Sequence, residues 1–197
     1  AKLIKYKIPP DSQGGLFFTK NLWRLTNFVN FEEDVMKVSV VMGSVSDFDS
    51  LKEMLDFFKE MDIEVSLRAL SAHRTPGELI EYLTEMENEV EVFIAAAGKA
   101  AHLPGVVASK TLKPVIGIPV KASTLDGLDA LLSIVQMPND VPVATVAIHG
   151  SLNAGILAAQ IIALKDEKTA TKLKEYKNKM RLEVLSKEQD LLKSKGY

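Results

Sequence analysis

The strongest constraint on the fold is an alternation of apolar, strand-like segments with helical segments, repeated between residues 36 and 165. The strand-like segments are short and rich in β-branched residues; they are Met36–Met42, Ile63–Leu70, Val90–Gly98, Lys113–Val120 and Val141–His149. Continuous apolar strands separated by helices are typical of a parallel sheet that is buried on both faces. The alternation therefore predicts an α/β fold with three layers and a doubly wound parallel sheet.

The segments between these strands have helical spacing. From about Asp47 to Met61, the apolar residues Leu51, Met54 and Phe58 fall on one helical face. Further helices are predicted over the segments that follow the other strands, namely Pro76–Glu89, Ala100–Thr111, Asp126–Met137 and Ser151–Leu164. Five strand–helix units with short connections favour helices on both faces of the sheet, and the fold we expect is flavodoxin-like.

The two ends of the chain differ from this pattern. Residues 1–35 combine turn-forming residues with an aromatic cluster around Trp23, and are interpreted as an N-terminal extension. A helix that docks on the body and a segment foreign to the protein remain alternatives. Residues 36–165 are the predicted catalytic domain, and residues 166–197 a long, charged amphipathic helix that ends at Gly196. Its narrow apolar stripe favours packing between subunits, with packing on its own domain as the alternative.

Composition excludes several classes of protein. The net charge is −2, so no global positive field attracts nucleic acid or acidic lipid. The chain has 0 cysteines, which rules out disulfides, thiolate catalysis and cysteine-ligated metals. No apolar run approaches the ~18 residues that a bilayer-spanning helix requires. We therefore expect a soluble cytoplasmic protein without a membrane or nucleic-acid partner.

In a parallel sheet, ligands bind beyond the carboxyl ends of the strands, so the loops after the strands are the places to search. The first such loop contains Gly43, which permits a tight turn, and the hydroxyls of Ser44 and Ser46. Hydroxyls at the start of a helix suit an anion such as phosphate. The alternative is simple N-capping of the helix by Ser46 or Asp47.

The second loop, after the second strand, holds the most reactive combination of side chains. Arg74 carries a planar, permanently charged guanidinium that matches a phosphate. His73 carries an imidazole, the side chain whose ordinary pKa, about 6.5, lies closest to neutral pH. Thr75 is expected to cap the helix that starts at Pro76. The loop therefore predicts phosphate binding and proton transfer, with a purely structural loop histidine as the alternative.

The third loop, Ala95–Gly105, is built mainly from small residues that let a ligand lie against the backbone. Gly98 is expected to take a positive φ angle, and His102 to stand at a helix start, where the dipole favours neutral imidazole. The histidines have no metal-binding spacing, and we predict no metal. The residues thus indicate a domain that binds a small phosphorylated molecule and uses histidine acid–base chemistry.

Four segments together resemble a known family. The sequences "GSVSD", "SAHRTP", "AAHLPG" and "LDGLDALLSIVQMP" are similar to the signature segments of the class I PurE family of purine biosynthesis, over about Val38 to Leu164. The resemblance implies a mutase that moves a carboxylate from the exocyclic nitrogen of N5-carboxyaminoimidazole ribonucleotide to C4 of the ring. A second class, which carboxylates aminoimidazole ribonucleotide directly with carbon dioxide, reads "SAHK" where this chain has "SAHRTP". A nucleotide-binding protein without catalytic activity is a further alternative.

The resemblance also implies partners and assembly. It implies a ribonucleotide substrate, no ATP, metal or organic cofactor, and a homo-oligomer, typically an octamer. It further implies a functional link to the ATP-dependent synthetase that forms the carbamate. None of these properties follows from composition or spacing alone.

The same resemblance implies roles for individual residues. His73 would be the catalytic acid–base, Asp47 would bind the ribose hydroxyls, and Ala72 would lie beside the substrate. The 5′-phosphate would be held by Ser44, Ser71 and Arg74, with Ser46 nearby. The ring and its carboxylate would lie against the third loop, at Ala97, Gly98, Lys99, Ala101, His102 and Leu103.

The chain departs from the family pattern at four positions. The family usually reads "AGAGGAAHLPG", whereas this chain has Ala96 and Lys99 in place of two glycines. Asp126 stands where asparagine or serine is more familiar, and His149 has no assigned role. Lys99 adds charge and bulk where the carboxylate is expected, and could bind it, point to solvent or indicate altered chemistry.

Overall fold

The structure is a computed structural model of the chain, and it describes residues 36–122 and 125–197. The segment around Trp23 lies outside the described residues. In the described part, the strands form one parallel sheet with the order β2-β1-β3-β4-β5. The strands are β1 Lys37–Met42, β2 Glu64–Ala69, β3 Val92–Gly98, β4 Val115–Val120 and β5 Ala144–Thr145.

Helices cover both faces of this sheet. The α-helices are α1 Lys52–Met61, α2 Pro76–Met86, α3 Leu103–Ala108, α4 Leu128–Val135, α5 Ser151–Ile162 and α6 Glu167–Lys195. Short 3₁₀ helices occupy Val45–Leu51 and Leu125–Gly127. The predicted three-layer, doubly wound, flavodoxin-like fold with a long C-terminal helix is confirmed.

Two hydrophobic clusters separate the layers, and β3 contributes to both. Its residues alternate between the faces: Ile94 belongs to the cluster under α1 and α5, and Phe93 to the cluster under α2, α3 and α4. Both side chains are fully buried. This alternation is the two-residue period of a strand, and it shows why an unbroken apolar run was required at this central position.

The last strand is much shorter than predicted. Only Ala144 and Thr145 pair with β4, whereas a strand was predicted over Val141–His149. Pro142 has no N–H to donate, which is one local reason why regular pairing does not begin earlier. Isolated hydrogen bonds continue along β4, including His149 N–H to the Pro119 carbonyl at 2.9 Å.

The first predicted helix also begins differently. A 3₁₀ helix occupies Val45–Leu51, and the α-helix starts only at Lys52. The N-cap is Ser44, whose hydroxyl accepts from the Ser46 N–H at 3.3 Å, so the alternative of N-capping by Ser46 or Asp47 does not hold. Helical turns therefore begin at Val45, before the start near Asp47 that hydrophobic spacing predicted, because the capping residue Ser44 directly follows Gly43.

The C-terminal helix packs on its own domain near its start. Leu173 is buried, and the Tyr176 ring lies edge-on to Phe57 with ring centres 5.1 Å apart. Farther along, Met180 and Val184 are 54% and 64% exposed. The helix ends at Gly196, which has a φ of 80°, as the sequence indicated. Packing of its exposed half between subunits stays a prediction.

A buried hydroxyl network gives a stability test of this fold. The Tyr82 hydroxyl lies 2.8 Å from the Ser39 hydroxyl, which is fully buried, and donates to the Ser66 hydroxyl at 2.9 Å. Tyr82→Phe is expected to cost about 1–3 kcal/mol in unfolding free energy, because it leaves the Ser39 hydroxyl without a partner. Urea unfolding measures the loss.

The matched comparison is the double variant Ser39→Ala with Tyr82→Phe. Since it removes both partners, its loss is expected to be smaller than the sum of the two single losses. Strictly additive losses would show that the two hydroxyls do not interact.

Candidate active site

A cleft of about 590 Å³ opens at the carboxyl edge of the sheet, beyond the first four strands. Every predicted site residue lines it, and these residues are Ser44, Ser46, Asp47, Ser71, Ala72, His73, Arg74, Ala97, Gly98, Lys99, Ala101, His102 and Leu103. The cleft is also lined by Gly43, Ala100, Lys121 and Ala122. The three loops singled out in the sequence therefore form one continuous surface.

The loop after β1 supplies a group of hydroxyls and a carboxylate. The Ser46 hydroxyl donates to the Ser44 hydroxyl at 2.8 Å and, more weakly, to the Asp47 carboxylate at 3.4 Å. Burial raises the pKa of Asp47 above its ordinary value, against the opposing effects of hydrogen bonds and the nearby Arg74 charge. The carboxylate is therefore partly desolvated in a cleft that is open to ligand.

The guanidinium of Arg74 joins two of the loops. It donates to the Gly43 carbonyl at 3.0 Å and weakly to the Ser71 hydroxyl at 3.4 Å. One cation and several hydroxyls consequently face the same end of the cleft, which is a suitable environment for a phosphate. Arg74 has no carboxylate partner among the salt bridges of the described residues.

Thr75 does not cap α2 as predicted. It occupies the N-cap position, but its hydroxyl accepts from the Ser71 N–H at 2.8 Å and donates to the Ser71 carbonyl at 3.2 Å. The side chain folds back and closes the loop instead. This closure fixes the residues between Ser71 and Thr75, including His73.

Two histidines from different loops meet in the cleft. His73 Nε2 lies 2.6 Å from His102 Nδ1, with ring centres 4.8 Å apart and ring planes at 87°. His73 follows β2 and His102 precedes α3, and β1 lies between β2 and β3 in the sheet. One ring must donate and the other accept at this distance, so the pair can share a proton.

The turn after β3 is built differently from the prediction. Gly98 is the last residue of the strand and pairs with Val120, while the positive φ of 57° occurs one residue later, at Lys99. A Cβ on Gly98 would stand 3.0 Å from the Val120 carbonyl oxygen. Gly98 is therefore required by the close approach of β4, and the prediction that it takes a positive φ was wrong. Ala96, also unusual for the family, is buried within β3.

Lys121 is a cleft residue that the sequence reasoning missed. It directly follows β4, so its position at a strand end was the available signal. Its ammonium lies 2.6 Å from the Asp126 carboxylate, and this ion pair lowers the pKa of Asp126. The backbone N–H of Lys121 donates to His149 Nε2 at 3.3 Å. His149 therefore contacts a residue of the cleft wall but does not line the cleft itself.

Comparison with known proteins identifies the family. The sequence model described as "AIR carboxylase" matches residues 37–183, most of the chain. The chain belongs to the AIR carboxylase family. It is 54% identical over 156 residues to a Thermotoga maritima protein named N5-carboxyaminoimidazole ribonucleotide mutase, which covers 79% of this chain and 91% of that protein. A Bacillus subtilis protein of the same name is 47% identical over 79% of this chain and 98% of its own length.

Structural comparison agrees with this assignment. The chain superposes on the crystal structure of Treponema denticola PurE with a TM-score of 0.73 and 28% identity. The match covers 79% of this chain and 98% of that one. The PurE resemblance that the four sequence segments predicted is confirmed, and the chain is an enzyme of this family.

In the part of the chain that the structure describes, we find neither a metal-binding cluster nor a helix suited to crossing a membrane. Within residues 36–122 and 125–197, no three histidine, cysteine or acidic side chains stand together as metal ligands would. Among the helices of the same ranges, none combines the length and apolarity that a bilayer crossing needs.

Proposed function

We propose that this chain is an N5-carboxyaminoimidazole ribonucleotide mutase, which moves the carboxylate from N5 to C4 to give 4-carboxy-5-aminoimidazole ribonucleotide in purine biosynthesis. Relatives with this name are about half identical to it over most of their length. The observation that carries the proposal is the convergence of an imidazole pair with a hydroxyl and guanidinium cluster in one cleft. The first group suits proton transfer and the second suits a phosphate.

The phosphate end of the substrate would lie at Ser44, Ser71 and Arg74, with Ser46 nearby. Hydrogen bonds already link Ser46 to Ser44 and Arg74 to Ser71, which reduces the ordering required when a phosphate binds. Asp47 would accept hydrogen bonds from the ribose hydroxyls. The aminoimidazole ring would then extend toward the third loop and lie between His73 and the backbone at Ala101.

The reaction would need one proton donor that becomes a proton acceptor. Protonated His73 donates to N5 as the bond between N5 and the carboxylate carbon breaks, giving carbon dioxide and aminoimidazole ribonucleotide. C4 of the ring then attacks the dioxide, and the neutral imidazole takes the proton from C4. The two steps balance in atoms and charge, and His73 returns to its protonated state, so the reaction as written consumes no ATP and needs no metal ion. An imidazole suits both steps because it gives and takes protons readily near neutral pH.

His102 is placed to assist this cycle. Its Nδ1 lies 2.6 Å from His73 Nε2, so it can accept or return a proton and fix the orientation of the other ring. Its backbone begins α3, so its position depends on the helix and not on a flexible loop tip.

The test of the proposed function is turnover of the carbamate. The purified protein, given N5-carboxyaminoimidazole ribonucleotide without ATP, is expected to form the C4-carboxylated product much faster than the uncatalysed control. A rate equal to the spontaneous one would refute the proposal. Normal ribonucleotide binding without turnover at any pH would select the non-catalytic alternative.

One relative bears on the alternative of direct carboxylation. A Candida glabrata protein named phosphoribosylaminoimidazole carboxylase is 47% identical to this chain over 168 residues, which span only 29% of that longer protein. If this chain were a direct carboxylase, product would form from aminoimidazole ribonucleotide and bicarbonate, and the carbamate would not be used. The two substrates, supplied separately, distinguish these activities.

Asp47 gives a test that links stability to binding. Because burial raises its pKa, the folded state loses stability as pH rises from the ordinary value of 3.8 through the raised value. Asp47→Asn is therefore expected to resist urea better than wild type at pH 7, and to lose this advantage as the pH falls toward 3.8. It should also bind the ribonucleotide more weakly. A variant that is less stable at pH 7 would contradict this assignment.

Assembly, partners and location are also part of the proposal. We infer a homo-oligomer, with the octamer of the PurE family as the specific expectation, and a cytoplasmic location. The carbamate substrate would come from an ATP-dependent synthetase. The exposed half of α6 supports association, since Met180, Leu182 and Val184 are all more than half exposed.

A further inference from the structure

Lys99 has a backbone conformation that a long side chain rarely adopts. Its φ is 57°, in the left-handed region that favours glycine. Among the non-glycine residues of the described chain with positive φ, it is the one that lines the cleft. Strain of this kind persists where the surrounding structure imposes it, and is often found at binding sites.

The neighbouring residues explain why the turn cannot relax. Gly98 is held against β4, where an added Cβ would stand 3.0 Å from the Val120 carbonyl oxygen. On the other side, the Ala101 N–H donates to the Lys99 carbonyl at 2.8 Å. The chain must therefore reverse at Lys99 itself, and glycine would fit this position with less strain. The lysine side chain is not required by the turn.

The positive charge of Lys99 also has no anionic partner among the described residues. The other cations of the cleft have partners: Arg74 donates to Gly43 and Ser71, and Lys121 pairs with Asp126 at 2.6 Å. Lys99 is exposed, and within the described ranges its ammonium makes no hydrogen bond or ion pair. It is therefore a cation at the cleft that remains available to an anionic ligand.

The position of Lys99 separates it from the phosphate end. Arg74 and Ser71 follow β2, whereas Lys99 follows β3, and β1 lies between these strands. Neighbouring strands are about 4.8 Å apart, so the ends of β2 and β3 are roughly 10 Å apart along the sheet edge, and His73 and His102 of the two loops meet between them. A ligand with a phosphate at one end and a second anionic group at the other matches this spacing.

From these observations we infer that Lys99 pairs with the carboxylate of the bound ribonucleotide and selects carboxylated ligands over the ligand that lacks the carboxylate. This inference rests on the proposed function and deepens it. Because the carboxylate is present before and after the transfer, the ion pair stabilises substrate and product alike. Because the carboxylate loses its charge as carbon dioxide forms, the ion pair is weakened in the transition state, so it lowers KM without raising kcat. Lys99 is thus a specificity-determining residue and takes no part in proton transfer.

The experiment compares the affinities of two ligands, 4-carboxy-5-aminoimidazole ribonucleotide and aminoimidazole ribonucleotide, by calorimetry. Lys99→Gln is expected to weaken binding of the carboxylated ligand by about five- to tenfold, as an ion pair in a solvent-open cleft allows, and to leave the other ligand unaffected. Lys99→Arg should keep the preference. Lys110→Gln is the matched control, since Lys110 is exposed and lies outside the cleft.

A further variant separates the charge from the backbone. Lys99→Gly relieves the strained φ, and is expected to raise Tm by about 2–4 °C while losing the same ligand preference. Turnover of the Lys99→Gln variant should show a raised KM with kcat no lower than that of wild type.

The outcomes distinguish this inference from the proposed function. Equal changes in affinity for both ligands, or no change for either, would overturn the role of Lys99 while wild-type turnover still supports the mutase. Retention of the full preference in Lys99→Gly would overturn it as well. If the wild-type protein neither binds nor converts these ribonucleotides, the proposed function fails first.

Discussion

His73→Asn is expected to lower kcat by about 10²–10⁴-fold, the usual loss when a general acid–base is removed. Asparagine keeps a polar group of similar size at the tip of the loop but cannot carry a proton between N5 and C4. The affinity for the ribonucleotide should change little, because the phosphate cluster at Ser44, Ser71 and Arg74 is intact. Steady-state turnover and calorimetric binding, measured on the same preparation, separate the two effects.

The matched control for this variant is His149→Asn. His149 contacts the Lys121 backbone without lining the cleft and has a φ of 56°, a conformation that asparagine tolerates well. Its kcat is expected to stay within about twofold of wild type. Near-normal turnover in the His73 variant would remove His73 from the proton-transfer role, whatever the control shows.

Arg74→Gln is expected to raise KM by about 10–100-fold, because it removes a charge-assisted contact with the phosphate. It also breaks the bond to the Gly43 carbonyl that joins the loops after β1 and β2. The loss should be much larger for the ribonucleotide than for the nucleoside that lacks the phosphate. Inhibition by these two compounds measures the difference.

Arg181→Gln provides the control for loss of a guanidinium. Arg181 is exposed on α6, where it donates to Asn178 at 3.3 Å, and it does not line the cleft. Its KM should equal that of wild type. If Arg74→Gln weakened both compounds equally, the guanidinium would hold the loops together without contacting the phosphate.

The fold was predictable because hydrophobic pattern and topology agree throughout the domain. The buried run around Ile94 and the helical face around Phe58 each specify a burial pattern that a parallel, three-layer structure satisfies. The predictions that were wrong concern local details of individual elements. The extent of β5 depends on Pro142 and on pairing at the sheet edge, and the start of α1 depends on where the Ser44 hydroxyl points. Neither detail is encoded in hydrophobic spacing.

The set of residues that line the cleft was predictable for a related reason. In a parallel sheet, all the strands end at one edge, so loops far apart in sequence are brought together by topology alone. The 2.6 Å contact between His73 and His102 was not predictable, since it depends on side-chain direction across an intervening strand. The positive φ of Lys99 was assigned to Gly98 because composition, and not the approach of β4, guided that prediction.

The proposed mutase mechanism requires the carboxylate to be transferred inside the cleft. The most direct test uses N5-carboxyaminoimidazole ribonucleotide labelled with ¹³C in the carboxylate, incubated with the protein in unlabelled bicarbonate and without ATP. If carbon dioxide stays beside the ring, mass spectrometry will find the label retained in the C4 carboxylate of the product. Product that carries mainly unlabelled carbon from the solution would contradict the mutase mechanism.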